Sequence, residues 1–338
     1  MFKPWNHAQS RRSPFGIERR ARDILRVLFR YRRLDANAGA CADHPCEDCL
    51  ALHVEKVSRI VELGDPLEFV LPAFPAKSPS PRKVIGRLPD MAEVLALGFL
   101  QHICDEIEQI YPPGARVLIG SDGRVFSDLV GITDQDVSRY HRQLAAEIAR
   151  LGAHSLRIFS MDELFETADF DRMRAELVEH YALPLQVLEQ RSRADERQRA
   201  QWCGIQRFLF EDRVGLDPTK SRSQVRKECG ERAHRVIQRS GAWGRLIGER
   251  FPSAVRLSIH PQPAHCDKIG IRLAETDEGW LTPWHGVAVK SEAGFRLMHR
   301  QEAEALGARL VEDRGRPSHY DATGHGERTE PRRGAPPP

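Results

Sequence analysis

The stretch "ARVLIGSDG" ends on three small polar residues, Ser121, Asp122 and Gly123. Ligands of open α/β sheets bind at the carboxyl ends of strands. At such an end Ser offers a hydroxyl, Asp a carboxylate and Gly a close backbone approach. An Asp-Gly hairpin turn is the alternative reading of the same trio. A second group lies in "PAFPAKSPSPRK", where Lys77, Ser78, Arg82 and Lys83 could surround an anion. Its prolines favour an extended loop, and the P-loop pattern is absent. A solvated basic loop would look the same. In "RLSIHPQPAHCDKIGIRL", strand alternation sets Arg256, Ser258 and His260 on one face and Leu257 and Ile259 on the other. His265 and Lys268 follow, and histidine is the natural acid or base near neutral pH. A water-facing sheet surface is the plainer explanation. "LTPWHGVAV" adds Trp284 and His285, where the indole could stack on a ligand or close the core.

Two further groups are metal-like or basic. "CADHPCEDCLALH" carries Cys41, His44, Cys46, Cys49 and His53. Cys46-x-x-Cys49 has zinc half-site spacing, and Cys41 and His53 could complete four ligands. Structural zinc, redox-sensitive thiols and plain packing all stay open. After "DPTKSRSQVRKE", Lys220, Arg222, Arg226, Lys227, Arg232, Arg235 and Arg239 give a helix a basic face. It could bind phosphate or nucleic acid, or be a solvated face balanced by Glu228 and Glu231. A basic nucleic-acid-binding regulator and a metal-binding accessory protein are therefore the alternatives to an enzyme.

The elements that must position these residues follow from periodicity. Helical spacing predicts helices over 17–33, 47–63 and 91–110, and one opening at a Thr133/Asp136 capping box. "LEFVL", "ARVLI" and "SLRIFS" read as strands between them, which predicts an α/β core with a Rossmann-like mixed sheet flanked by helices. Residues 161–250 read as a charged, mainly helical middle region. "AVRLSIH", "KIGIRL", "GVAVK" and "FRLMH" predict an antiparallel C-terminal part of the sheet. Residues 1–16 are expected to form a flexible arm, 17–320 a single catalytic domain and 321–338 a disordered tail.

The 338 residues suffice for a sizeable core, and 41% apolar with 29% charged content is that of a soluble globular chain. Net charge is only +3, which argues against general nucleic-acid binding. No apolar run is long enough to span a membrane, no secretory signal is visible, and a cytoplasmic location is expected. Seven cysteines in that setting are thiols or metal ligands rather than disulfides.

Together the blocks "LPAFPAKSP", "KVIGRLPDMAE", "YPPGARVLIGSDGRVFSDLVGI", "RLSIHPQPAHCDKIGIRL", "TPWHGVAV" and "GRPSHY" resemble the isonitrile synthases of the pyoverdine/dityrosine biosynthesis type. They occur in family order over roughly residues 20–320, and the bacterial stand-alone enzymes are the most similar. One departure is Gly120, where some relatives carry Cys. The resemblance implies that the amino group of L-tyrosine or L-tryptophan condenses with the C2 ketone of ribulose 5-phosphate. C2 becomes the isonitrile carbon, both sugar C–C bonds at C2 break, and phosphate leaves. No redox cofactor is required, and a separate Fe(II)/2-oxoglutarate-dependent oxygenase is the expected pathway partner. That chemistry casts Asp122, His260, His265 and His285 as proton-transfer groups. Lys77, Arg82, Lys83, Lys268 and Arg222 become candidate phosphate ligands, with Ser78, Ser121, Ser258 and Gly123 lining the site. Arg256 would hold the amino-acid carboxylate, and Trp284 or Phe126 would border the aromatic ring.

Overall fold

The computed structural model describes residues 14–35, 39–42, 46–277 and 281–323. His44, the arm before residue 14 and the tail beyond residue 323 lie outside them. The helices are α1 (Pro14–Arg30), α2 (Glu47–Leu63), α3 (Met91–Ile110), α4 (Gly123–Val130), α5 (Asp134–Arg150), α6 (Phe170–Tyr181), α7 (Leu185–Ala194), α8 (Glu196–Arg213), α9 (Arg222–Arg250) and α10 (Arg300–Ala305). The strands are β1 (Leu67–Ala73), β2 (Ala115–Ser121), β3 (Leu156–Phe159), β4 (Val255–Ser258), β5 (Lys268–Gly270), β6 (Val287–Ser291), β7 (Gly294–Met298), β8 (Arg309–Asp313) and β9 (Arg316–Asp321).

Five strands form one wholly parallel sheet in the order β3-β2-β1-β4-β5. β1 and β2 are apolar on both faces because helices cover both. α1, α2, α3 and α5 bury one face through Leu25, Leu28, Val57, Leu100, Ile103 and Leu144. On the other face α9 sets Trp243, Leu246 and Ile247 over Val70 and Leu118. From β1 the chain proceeds to β2 on one side, while β4 returns on the other. The crevice at the carboxyl ends of β1 and β4 is thus a topological switch point, the place where such sheets bind ligands.

The antiparallel strands belong to a second sheet, ordered β7-β6-β9-β8. Its β6–β7 and β8–β9 pairs are antiparallel and its β6–β9 pair is parallel. "AVRLSIH" and "KIGIRL", expected there, instead continue the parallel sheet as β4 and β5. The long α6–α9 excursion returns the chain to the sheet edge in the same direction as β1. The first helix starts at Pro14, inside the expected arm, and β9 runs to Asp321, inside the expected tail. No helix among the described residues is long and apolar enough to cross a membrane.

Candidate active site

Ser121-Asp122-Gly123 is no hairpin. β2 ends at Ser121 and α4 starts at Gly123, with Asp122 at its N-cap. The Asp122 side chain makes no capping bond, and its buried Oδ1 has no hydrogen-bond partner among the described residues. Burial pushes its carboxyl up to about 7. Ser121 is buried and donates its hydroxyl to the Phe74 carbonyl at 2.9 Å. Phe74 has a positive φ of 57°, so this bond fixes the strained turn after β1. Gly123 serves the same crossing, because a Cβ there would lie 2.0 Å from the Pro75 oxygen. Two of the three residues therefore shape the turn, and Asp122 carries the uncommitted carboxyl.

The expected phosphate loop is held by buried carboxylates. Lys77 is fully buried, with Nζ 2.8 Å from both Asp90 Oδ2 and Glu93 Oε2. It also donates to the Pro283 carbonyl at 3.1 Å. Burial pushes its pKa down, but Asp90 and Glu93 outweigh burial and hold the ammonium charged. Burial lifts Glu93 to about 8, and its other oxygen accepts from the buried Tyr140 hydroxyl at 3.0 Å. Lys83 pairs with Asp212 at 2.9 Å and Glu211 at 3.3 Å, beneath the Phe208 ring. Arg82 donates to the Glu211 and Val214 carbonyls at the end of α8, and Arg222 sits exposed over Phe210. Ser78 is buried, its backbone N–H bonded to the Trp284 carbonyl at 2.8 Å. Lys77, Arg82 and Lys83, expected to face phosphate, thus have protein partners that satisfy their charge or donors.

A less compensated positive wall stands on β4 and β5. Arg256 and Lys268 are paired in register and share a face. Arg256 reaches a notch on α9 left by Gly244 and Gly248, where Nη2 donates to the Gly244 carbonyl at 2.9 Å. Burial, then the Arg256 charge, lowers Lys268. Ser258 Oγ accepts the His260 N–H and a Gln262 Nε2–H, both at 3.1 Å, and so shapes the turn bearing His260. The His260 side chain opens to solvent but is ringed by protein. That confinement, with the charges of Arg33 and Lys268, brings it down to about 4. His285 Nδ1 is 2.8 Å from Thr282 Oγ1 and its ring meets Phe208 edge-on. Burial, then Lys83, His299, Lys77 and His260, hold it well below the usual imidazole range. Both rings are held neutral at pH 7, so each offers one N–H and one lone pair for hydrogen bonding. Trp284 is buried against Phe74 with ring centroids 5.2 Å apart, which is a core position. Phe126 packs on the α9 side of the sheet.

His265 lies elsewhere. Its Nε2 is 3.2 Å from Cys46 Sγ and 3.8 Å from Cys41 Sγ, and its N–H points at Cys49 Sγ. His53, expected as the fourth ligand, is buried on α2 against Phe29 and bonds the Cys266 backbone. The structure therefore moves His265 from the proton-transfer set into the cysteine cluster and His53 out of it.

Sequence reasoning missed Asp90, Glu93, Tyr140 and Asp212. The signal for the first two was present in "LPDMAE", a capping box whose two carboxylates are both buried. Asp212 was visible as an acid on the apolar face of α8 beside Leu209 and Phe210. The candidate groups that remain are thus a buried carboxyl pushed up to about 7, two imidazoles held neutral, and the Arg256 and Lys268 cations on neighbouring strands.

Comparison with known proteins agrees with the blocks along the sequence. The chain is 46% identical over 297 residues to the L-tryptophan isonitrile synthase AmbI1 of Fischerella ambigua, covering 88% of this chain and 93% of that one. It is 45% identical over 303 residues to an L-tyrosine isonitrile synthase of Pseudomonas aeruginosa, covering 88% and 92%. The crystal structure of the PvcA protein from Pseudomonas aeruginosa superposes with a TM-score of 0.84 at 41% identity, covering 89% of this chain and 99% of that one. The sequence profile of the pyoverdine/dityrosine biosynthesis proteins matches residues 57–311, a span that includes Lys77, Asp122, Arg256, His260, Lys268 and His285, and the chain belongs to that family.

Proposed function

We propose that the chain is an isonitrile synthase that converts the α-amino group of L-tyrosine or L-tryptophan to an isonitrile, with C2 of ribulose 5-phosphate as the carbon source. The observation that carries this reading is the family match over residues 57–311, which contains Asp122, Arg256, His260, Lys268 and His285. The site's chemistry supports it. Condensation needs a deprotonated amine, loss of water and then removal of protons from sugar hydroxyls. Asp122, poised near neutral pH at the switch point, is the natural group to take the ammonium or hydroxyl proton. His260 and His285, held neutral, would serve the later transfers as hydrogen-bonding groups rather than as strong bases. Arg256 would receive the amino-acid carboxylate and Lys268 the phosphate, because among the described residues neither forms an ion pair with a buried carboxylate. Lys77 and Lys83 would then set the shape of the cleft rather than touch phosphate. Two sugar C–C bonds at C2 break and the fragments absorb the electron changes, so no redox cofactor enters. The isonitrile product would pass to a separate Fe(II)/2-oxoglutarate-dependent oxygenase.

The test is incubation with ribulose 5-phosphate labelled with carbon-13 at C2 and each aromatic amino acid in turn. Label in the isonitrile carbon of the tyrosine or tryptophan product is the expected result. An isonitrile without label would remove the sugar from the reading, and no isonitrile from any amino acid would remove the activity.

A further inference from the structure

We propose that Cys41, Cys46, Cys49 and His265 form a structural Zn2+ site that clamps the loop between β4 and β5 to the N-terminal helices. The three thiols and the imidazole all lie within 4.8 Å of one another. In a tetrahedral zinc site with bonds of about 2.0–2.3 Å, ligand atoms stand about 3.3–3.8 Å apart. The 3.2 Å and 3.8 Å separations of His265 Nε2 from Cys46 and Cys41 are of that size. Sulfur-rich donors favour zinc over the hard cations magnesium and calcium.

The surroundings are built for thiolates. The Cys49 N–H points at Cys46 Sγ at 3.3 Å, and the His265 N–H at Cys49 Sγ at 3.4 Å. Such amide contacts orient metal-bound sulfur and delocalise its charge. Arg32 donates to the Cys41 carbonyl, placing a positive charge beside a site that three thiolates would make negative. His265 adopts a φ of 57°, rare for a residue with a side chain, and that geometry turns its ring toward the cysteines. Four protein donors close the coordination sphere, which is the pattern of a structural rather than a catalytic zinc.

The ligands come from two distant chain segments, and the same seam carries backbone bonds. Arg33 N–H bonds the Gly270 carbonyl at 2.8 Å, and Gln262 N–H bonds the Arg33 carbonyl at 3.1 Å. The clamped loop presents His260 before the metal and Lys268 after it. A metal here would steady both His260 and Lys268, independently of which substrate the enzyme accepts.

Elemental analysis of tag-free protein should find about one zinc per chain, and no more than a tenth of that in Cys46→Ala or His265→Ala. His53→Gln should keep its metal. Cobalt-substituted wild-type protein should show thiolate-to-cobalt charge-transfer and tetrahedral d–d absorption. If the variants do not fold, a mercurial reagent added to wild-type protein should release one zinc to a colorimetric chelator. Amide exchange over residues 259–270 should quicken at least tenfold on release. Wild-type protein that stays below a tenth of a metal after reconstitution, a disulfide among the three cysteines, or full metal in Cys46→Ala would overturn the site. Unchanged exchange on release would overturn the clamp. Metal content is read without catalysis, so its failure is separate from failure of the isonitrile reaction.

Discussion

Asp122 titrates near 7 because its carboxyl is buried with one oxygen unpartnered, not because another acid crowds it. If it is the base, activity rises with pH through about 7, and Asp122→Asn lowers kcat by about 10²–10⁴ and removes that limb of the profile. The stability change has a fixed sign. A folded pKa above the unfolded value means that the native state binds the proton more tightly, so ionisation penalises folding as pH rises from about 4 to 7. Asp122→Asn should therefore be more stable than wild type by an amount that grows over that window and levels above it, on the order of a few kcal/mol. Paired activity and urea-unfolding profiles check both halves, and a variant with parallel profiles would return Asp122 to a purely local role. Lys77 makes the opposite case. Lys77→Met leaves Asp90 and Glu93 buried without a cation and should cost about 3–5 kcal/mol. Adding Asp90→Asn and Glu93→Gln should recover much of that loss in urea titrations, since Asn still caps α3 and Gln still accepts from Tyr140. If Lys77 were chiefly a phosphate ligand, the triple variant would gain nothing in stability. At this scale Asp122 was legible because a polar trio ends an apolar strand. The partners of Lys77 were not, since a lysine in a proline-rich loop looks solvated until the turn that buries it is known.

The elements explain why these side chains are where they are. β1 and β2 deliver two turns that cross at van der Waals distance, bound by Ser121 to Phe74 and made possible by Gly123. Gly123→Ala forces its methyl into the Pro75 carbonyl and should cost at least about 1–3 kcal/mol, the usual toll of overpacking, because backbone rather than a pliant side chain must yield. It should also displace Asp122 and lower kcat more than it raises KM, which urea titration and steady-state kinetics would show; near-normal stability would mean the crossing is loose. Much of this level was readable. α2 and α3 run over the residues their apolar spacing marks, and Thr133 caps α5 by accepting the Asp136 N–H. The direction of β4 and β5 was not readable, because a three- or four-residue strand looks the same whether its neighbour runs with it or against it. Their placement depends on the helical excursion from α6 to α9, and local periodicity does not say where such an excursion returns. For the same reason His265 looked like a cleft histidine: the loop that bears it turns toward α2 only once β4 and β5 are paired in parallel.

At the scale of the molecule the two sheets meet at the cleft. The turn at Pro283–His285 precedes β6, and its carbonyls take the Lys77 ammonium and the Ser78 N–H. Trp284 drives the same junction into the main core against Phe74, while Asp90 and Glu93, which hold Lys77, sit at the first turn of α3. One buried ammonium thus ties the loop after β1, the start of α3 and the entry to the second sheet. Burying that much charge is poor value as stability alone, since well-packed apolar residues often do as well. Its consequence is that the cleft cannot loosen on one side without loosening on the other. In wild-type protein, amide exchange of β6 and β9 should therefore follow that of β1 and β2, because opening either sheet breaks the shared ammonium. In Lys77→Met the second sheet has lost that tie, though the Ser78–Trp284 backbone bond and its contacts with α3 and α10 remain, so its amides should exchange faster while β1 and β2, covered on both faces, change little. Mass-resolved hydrogen exchange on both proteins separates the outcomes. A uniform acceleration across both sheets would mean that Lys77 supports global stability without coupling them, and the cleft would then be free to open from the side of the second sheet.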